Sequence, residues 1–434
     1  MALIVQKYGG SSVADAESIQ RVARRVAETR QAGNQVAVVV SAMGDTTDEL
    51  LDLADQVAAR PPKRELDILL TAGERISMSL LAMAIDALGV SAKSFTGQQA
   101  GVITDAKYGK AHILDVVPDR IADALDAGDV AIIAGFQGVD PVANDVTTLG
   151  RGGSDTTAVA IAAGIGADVC EIYTDVSGVF TADPRIVTSA RKVEHITYEE
   201  MLELAANGAK VLAPRSVEYA RRYGVPIHVR SSFTTENGTI ISEHAQIGRK
   251  VAELAAGNGE VVEAPIISGV AHDRSEAKIT IVGVPDVPGR AALIFEVVAG
   301  AGANIDMIVQ NASVEQQAVT DISFTLPESD VPATLAALRR AQREIGFQSL
   351  HKDDQIGKLS LVGAGMKSHP GVSAKLFGAL RDAGINIEMI TTSEIRLSVV
   401  TRADHLDDAV RAVHTAFDLD SQDGPAQVYA GTGR

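Results

Sequence analysis

Two stretches in the last third of the chain match in order and spacing, and that repeat limits the fold more than any other feature. The first copy reads Lys278-Ile279-Thr280-Ile281-Val282-Gly283, then Pro288-Gly289, a helical pattern, and Asn304-Ile305-Asp306-Met307-Ile308. The second reads Lys358-Leu359-Ser360-Leu361-Val362-Gly363, then Pro370-Gly371, a helical pattern, and Asn386-Ile387-Glu388-Met389-Ile390. The Pro-Gly pair and the Asn-Ile-acid triplet both return 82 positions later (288 to 370, 304 to 386). Strand, loop, helix and strand, each followed by a further helix, describe a small βαββαβ module present twice. Each Pro-Gly opens a helix, where free N–H groups suit an anion. A purely structural repeat fits the same residues.

Residues 1–245 follow a different rule. Short apolar runs at Leu3–Val5, Val36–Val40, Ala92–Phe95, Val130–Ala134, Val169–Tyr173, Ile227–Val229 and Thr239–Ile241 alternate with helical patterns near 15–31, 46–59, 65–88, 113–127, 154–164, 197–207 and 214–222. Strands apolar throughout, separated by helices, predict a mainly parallel sheet covered on both faces. Such sheets bind ligands beyond the carboxyl ends of their strands. Polar and glycine-rich residues gather there: Lys7-Tyr8-Gly9-Gly10-Ser11-Ser12, Ser41-Ala42-Met43-Gly44, Gly135-Phe136-Gln137-Gly138 and Thr174-Asp175. The Lys7–Ser12 stretch fits a phosphate cradle, and it also fits an ordinary strand-to-helix turn. Residues 246–264 loosen into a linker.

At roughly 150 residues per domain, 434 residues suggest about three domains. A net charge of −17 without a basic stripe argues against a nucleic-acid partner. No run approaches the ~18 apolar residues of a membrane span, and no signal-peptide pattern opens the chain. The single cysteine, Cys170, lies in an apolar run and has no internal partner, which fits a reducing cytoplasm. Neither Walker-type nor zinc-ligand spacing occurs.

The densest chemistry is Gly150-Arg151-Gly152-Gly153-Ser154-Asp155. Arg151 can grip a carboxylate with a fork. Asp155 falls in the first turn of a small-residue helix, as a site carboxylate or as a plain cap. The loop Thr174–Arg185 offers a carboxylate, hydroxyls, Phe180 and Arg185, enough for a nucleotide or for an ordinary turn. Lys210 follows a helix that stops at Asn207-Gly208. Glu74-Arg75 interrupts a long helical pattern.

Taken in order, Lys7–Ser12, Ser41-Ala42-Met43-Gly44-Asp45-Thr46-Thr47, Thr71-Ala72-Gly73-Glu74, Gly150–Asp155 and Thr174-Asp175-Val176 give a sequence that resembles the aspartokinases, and the actinobacterial ones most. The resemblance extends over essentially the whole chain, to Val428–Arg434. It implies an α/β fold: an amino-acid-kinase-like three-layer sandwich with a mainly parallel sheet, followed by two ferredoxin-like βαββαβ ACT domains. The expected divisions are a catalytic domain at 1–245, the linker at 246–264, ACT domains at 265–345 and 346–434, and an exchange of strand 263–271 into the second ACT domain left open.

The family's activity implies ATP and Mg²⁺ phosphorylating the side chain of L-aspartate, as the first step towards lysine, threonine, methionine and diaminopimelate. By position, Lys7 and Asp155 would be catalytic. Lys7, Tyr8, Gly9, Gly10, Ser41, Thr174, Asp175, Phe180, Arg185 and Lys210 would hold ATP. Thr47, Glu74, Arg151, Gly152 and Ser154 would bind aspartate. No residue is expected to be a dedicated metal ligand. Many relatives carry Asp at Ser177 and Tyr at Phe180, and neither change touches the transfer centre. An effector, lysine and/or threonine, would meet Asp286, Gly289, Ala291, Asn304, Ile305, Asp306 and Gln310 in the first ACT domain. In the second it would meet Val372, Ser373, Asn386, Ile387, Ser393 and Glu394. ACT pairing across subunits implies a homo-oligomer, or an α2β2 assembly whose shorter subunit begins at an internal start such as Val251.

Overall fold

The computed structural model describes residues 1–243, 266–312, 319–364 and 371–421, with Met366 and His369 between the last two segments. The linker 246–264, Val251 and the ending Val428–Arg434 lie outside the described residues. The chain divides into two compact units, one holding residues 1–262 and 421–434, the other 263–420.

The first unit is built on an eight-stranded sheet. Its spatial order is His195–Ile196, Thr239–Ile241, Ile227–Ser231, Val169–Thr174, Leu3–Tyr8, Gln35–Val40, Val130–Ala134 and Ala92–Phe95. All pairs are parallel except Ile227–Ser231 with Thr239–Ile241. The apolar stripe Ile19, Val22, Ala23 and Val26 of helix Ala16–Gln31 is buried against Tyr8, Val36, Val38, Val40, Val130 and Ile132. Asp15 caps that helix by accepting from the Ser18 N–H. The same face is covered by the helix Lys63–Asp86, through Met78, Leu81 and Ile85. Helix Gly153–Ile165, buried along most of its length, lies against the strand Leu3–Tyr8. Strand alternation sends neighbouring side chains to opposite faces, so Tyr8 joins the core below Ala16–Gln31 while Lys7 points the other way.

The sheet order places Leu3–Tyr8 centrally, between Gln35–Val40 and Val169–Thr174. Lys7–Gly10, Ser41–Gly44 and Thr174-Asp175 are therefore adjacent at one edge of the sheet.

The sequence reading differs from the structure in this unit at its short strands. Ile113–Val116 is a strand, and the helix expected from 113 begins at Asp119. Ile113–Val116 joins Val102–Thr104, Gln137–Val139 and Val146–Thr148 in a second, four-stranded sheet. Strands of three or four residues leave little periodicity to read. Among the described residues, the helix expected near 65–88 runs Lys63–Asp86 and is long and apolar enough to cross a membrane by length and composition. It is a core helix here, and it buries Asp67, Thr71, Glu74 and Ser77 along one side.

In the second unit the first repeat is contiguous, Glu276–Pro285, Arg290–Gly300, Ile308–Ala312, Val319–Pro327, Val331–Ile345 and Ser349–Asp353. Its sheet order is Ile308–Ala312, Val319–Pro327, Glu276–Pro285, Ser349–Asp353. Among the described residues the second repeat supplies Ile356–Ala364, Gly371–Asp382, Met389–Thr392, Arg396–Arg402 and Leu406–Ala416. Its fourth strand is Ile266–Asp273, antiparallel to Ile356–Ala364. The two sheets therefore partition differently from a cut at 345/346, since Ser349–Asp353 completes the first and Ile266–Asp273 the second.

The two repeats meet through matched residues. Met307 and Met389 share one small core. Lys278 pairs with Glu388 and Lys358 pairs with Asp306, so each copy's lysine meets the other copy's acid.

Candidate active site

One cavity of about 500 Å³ opens at the carboxyl ends of the central strands. It is lined by Lys7, Gly10, Ser41, Thr47, Glu74, Arg151, Gly152, Ser154 and Asp155 among others. Every residue assigned from sequence to catalysis or to aspartate is in this group. Lys7 Nζ stands 2.7 Å from Asp155 Oδ1, with each side chain about 12% exposed. The pair is neither sealed nor fully solvated, so one side stays open to a ligand.

The local backbone explains why these residue types occur here. Gly10 sits where a Cβ would come within 2.9 Å of the Gly44 carbonyl oxygen. The Gly44 N–H donates to the Gly10 carbonyl at 3.1 Å, which ties the two strand ends together. Gly10–Val13 forms a 3-10 turn rather than the start of a long helix, which begins only at Ala16. The cradle is thus a turn. Arg151 stands between Gly150 (φ 79°) and Gly152 (φ 73°), and a Cβ on Gly152 would fall 2.3 Å from that of Ala213. Both neighbours need the left-handed region.

Glu74 is the most perturbed group in the cavity. Its Oε1 accepts the Ala42 N–H at 3.2 Å, while Oε2 is buried without a hydrogen-bond partner among the described residues. Burial pushes its pKa up to about 7. A buried carboxylate with one empty oxygen awaits a cation or a donor.

The expected nucleotide group is spread over the next strand ends. Thr174 Oγ1 donates to Asp175 at 3.0 Å, and Arg185 pairs with Asp175 at 3.3 Å. Phe180 lies on the neighbouring two-residue strand. Lys210 is exposed, three residues before Ala213, whose N–H donates to Asp155 Oδ2 at 3.4 Å. None of these five lines the cavity around Lys7. Tyr8 has to be corrected. Its ring is fully buried on the other face of the sheet and stacked on Tyr173 at 4.7 Å, so its side chain is not available to a nucleotide. Cys170 is buried, and burial raises its thiol pKa far above the ordinary value, which suits no nucleophile.

Sequence reasoning missed Asp67. It lies seven residues before Glu74 on Lys63–Asp86, two turns away and on the same side, and that spacing is the signal that could have found it. Phe136 was noted only as part of a strand end. It lines the cavity with φ 69°, a strained conformation for a non-glycine residue.

The second unit holds two more cavities at repeat-equivalent positions. One of about 340 Å³ is lined by Asp286, Gly289, Ala291 and Gln310. The other, of about 510 Å³, is lined by Val372, Ser373, Ser393, Glu394, His369 and Arg396. Asn304 and Ile305, and Asn386 and Ile387, are not among the lining residues. Nor is Asp306, which pairs with Lys358 at 2.6 Å.

Comparison with known proteins finds two family models along the chain. The model of the amino acid kinase family matches residues 2–231, and that of the ACT domain matches 279–342 and 359–417. A curated aspartokinase of Mycolicibacterium smegmatis is 59% identical, with all of both chains covered. The crystal structure of aspartate kinase from Synechocystis is 41% identical with a TM-score of 0.52, covering 97% of this chain and 70% of that one. E. coli aspartokinase III, solved with aspartate and ADP, matches at a TM-score of 0.80. That match covers 96% of this chain and 100% of the other, and at 23% identity it speaks to the fold alone.

Proposed function

The chain belongs to the amino acid kinase family, as one of its aspartokinases, and from that premise we propose how its own residues carry out the transfer. The reaction moves the γ-phosphoryl group of ATP to the side-chain carboxylate of L-aspartate, giving 4-phospho-L-aspartate and ADP. A carboxylate is already a nucleophile, so no strong general base is required, and the rate rests on alignment and charge neutralisation. That fits a cavity without a base dyad.

The observation that carries this reading is the placement of Lys7–Asp155 and the half-empty Glu74 around one cavity. Glu74 binds the ammonium of aspartate, and Arg151 binds a carboxylate. Thr47, Gly152 and Ser154 complete the contacts. Lys7 neutralises the oxygens of the phosphoryl group in flight, and Asp155 keeps the lysine aimed. Gly9 and Gly10 let the phosphates approach. Ser41, Thr174, Asp175, Phe180, Arg185 and Lys210 hold the nucleotide.

Among the described residues no three His, Cys, Asp or Glu side chains gather to cage an ion. Mg²⁺ bound through one carboxylate and the phosphates themselves fits that donor set, with Asp155 the carboxylate at hand. It would supply further charge neutralisation at the phosphates.

We place the reaction at the head of the lysine, threonine, methionine and diaminopimelate branch, in the cytoplasm. Lysine and/or threonine act through the ACT cavities, at Asp286, Gly289, Ala291 and Gln310 and at Val372, Ser373, Ser393 and Glu394. ACT domains pairing between subunits give a homo-oligomer or an α2β2 assembly.

The test is purified protein with ATP, Mg²⁺ and a panel of acidic amino acids, with hydroxylamine trapping the acyl phosphate. Hydroxamate is expected with aspartate alone. Hydroxamate from glutamate at equal efficiency would overturn the substrate assignment. Lysine and threonine, singly and together, then report on the ACT cavities, and no inhibition by any of them removes the effector assignment.

A further inference from the structure

Two buried or half-buried side chains grip the segment that carries Arg151, each from a different helix. Asp67, on Lys63–Asp86, uses both carboxylate oxygens on protein groups. Its Oδ2 accepts the N–H of Gly109 at 3.0 Å and of Thr148 at 2.8 Å, and its Oδ1 accepts the Thr148 hydroxyl at 2.8 Å. Arg215, in the first turn of helix Pro214–Tyr223, donates to the carbonyls of Leu149 at 3.0 Å and Ala111 at 2.8 Å. Among the described residues Arg215 makes no ion pair, and burial lowers its pKa from the ordinary arginine value. The anion thus takes the N–H groups and the cation takes the carbonyls of the same two segments, 109–111 and 148–149. Those segments also bond directly, Ala111 N–H to Thr148 carbonyl at 2.9 Å.

We propose that Asp67 and Arg215 are positioning residues that together fix the Leu149–Gly152 loop, and through it the aspartate-binding stance of Arg151. The proposal rests on the reading of Arg151 as an aspartate ligand. The need for such a bracket follows from the loop itself. Gly150 and Gly152 both adopt left-handed conformations and leave Arg151 on a stretch with wide backbone freedom. A guanidinium fork selects a carboxylate only if its base is held still. Charged groups on backbone donors and acceptors give the stronger class of hydrogen bond for that purpose. Because Arg215 leads the helix that follows the Lys210 segment, the bracket also joins the two substrate regions. The aspartate side remains the one it grips directly.

The experiment measures KM for aspartate, KM for ATP and kcat in the full-length enzyme carrying D67A, D67N, R215A, R151A and the doubles D67A/R151A and R215A/R151A. In D67A and R215A the aspartate KM should rise by about tenfold or more, with the ATP KM within about twofold, as expected for a binding group displaced rather than removed. D67N should recover most of the affinity. The asparagine carbonyl can take the two N–H groups, while its amide donates to the Thr148 hydroxyl, so bracket geometry survives without charge. A direct contact between Asp67 and the substrate ammonium would instead make D67N as poor as D67A, which overturns the proposal. Within R151A, adding D67A or R215A should raise the aspartate KM by no more than about twofold, because the singles act through the same side chain. Full additivity of the doubles, or matched rises in both KM values, also overturns it. If R151A leaves the aspartate KM unchanged, the reading of Arg151 fails and the bracket loses its purpose. If R151A alone raises it while both bracket singles stay normal, that reading stands and only the bracket fails.

Discussion

Two lysines in this molecule stand equally close to carboxylates in opposite surroundings. Lys7 meets Asp155 at 2.7 Å, and Lys358 meets Glu276 and Asp306 at 2.6 Å each. Lys358 is about 1% exposed and has two acids, with Arg396 3.9 Å from Asp306 closing the group. Lys7 has one acid and an open side facing the cavity. Proximity to a carboxylate therefore does not by itself distinguish a lysine open to a ligand from one sealed in a core. What differs is whether charge remains to be neutralised by something that comes and goes. At Lys358 the acids outnumber the ammonium, and they raise its pKa against the opposing effect of burial.

Four changes would break or sharpen that contrast. The largest effect is expected for Lys7→Ala. Loss of the cation at the transferring group should cost about 10³-fold or more in kcat, by analogy with other cations in phosphoryl transfer. The thermal transition should scarcely move, and near-normal hydroxamate formation would remove Lys7 from the mechanism. Lys358→Ala should do the reverse. It strands Glu276 and leaves Asp306 with Arg396 alone, and the penalty for an uncompensated buried charge is about 3–5 kcal/mol, readable by urea unfolding of the ACT-bearing unit. Combining it with Glu276→Gln and Asp306→Asn should return most of that stability. If the triple variant is no better than the single, charge is not what the cluster contributes.

Glu74→Gln tests the same principle from the acid side. Its pKa in the folded protein is about 7 against an ordinary value near 4.5, so folding takes up a proton between those pH values. A raised carboxyl pKa costs stability above its folded value and costs nothing below its unfolded one. At pH 8 the amide should therefore stabilise the substrate-free enzyme, by up to about 3 kcal/mol, and the gain should vanish by about pH 4.5. The same titration should weaken aspartate binding as pH falls from 8 to 6, because the ammonium pairs only with the ionised acid. A wild-type aspartate KM that is flat across that range would contradict the assignment. The smallest effect belongs to Lys278→Ala. Its pair with Glu388 is partly solvated, and its loss should cost about 1 kcal/mol in the same unfolding experiment.

The legible parts of the fold were those in which one physical rule acts alone. Apolar runs marked the buried parallel strands because both of their faces are covered. The stripe Ile19-Val22-Ala23-Val26 announced its helix because one face alone is covered. The small sheet was not legible, since Gln137–Val139 and Val146–Thr148 each give three residues of pattern. The grouping of Lys7, Glu74, Arg151 and Asp155 around one cavity was legible from the ordered motifs. It failed at Tyr8, although the rule that decides Tyr8 was already present. Adjacent residues in a strand face opposite ways, so a strand that presents Lys7 to the cavity must bury its neighbour. Asp306 shows another limit. The repeat revealed that it corresponds to Glu388, but sequence spacing cannot show that each acid serves the lysine of the other copy.

The loan of strand Ile266–Asp273 to the second repeat makes the first repeat an insertion, and this sets an order on folding. Lys278 pairs with Asp353, so the ends of the inserted module already meet inside its own sheet. That module can close on mostly local contacts. The outer sheet cannot, because Ile266–Asp273 must find Ile356–Ala364 across everything between them. An unfolded intervening chain would add loop-closure entropy to that search, whereas a folded module shortens it to the gap between two neighbouring ends. The first repeat then acts as the clamp that brings the second one's strands together. Substitutions in the first repeat's core, such as Phe324→Ala, should slow the assembly of a sheet they never touch.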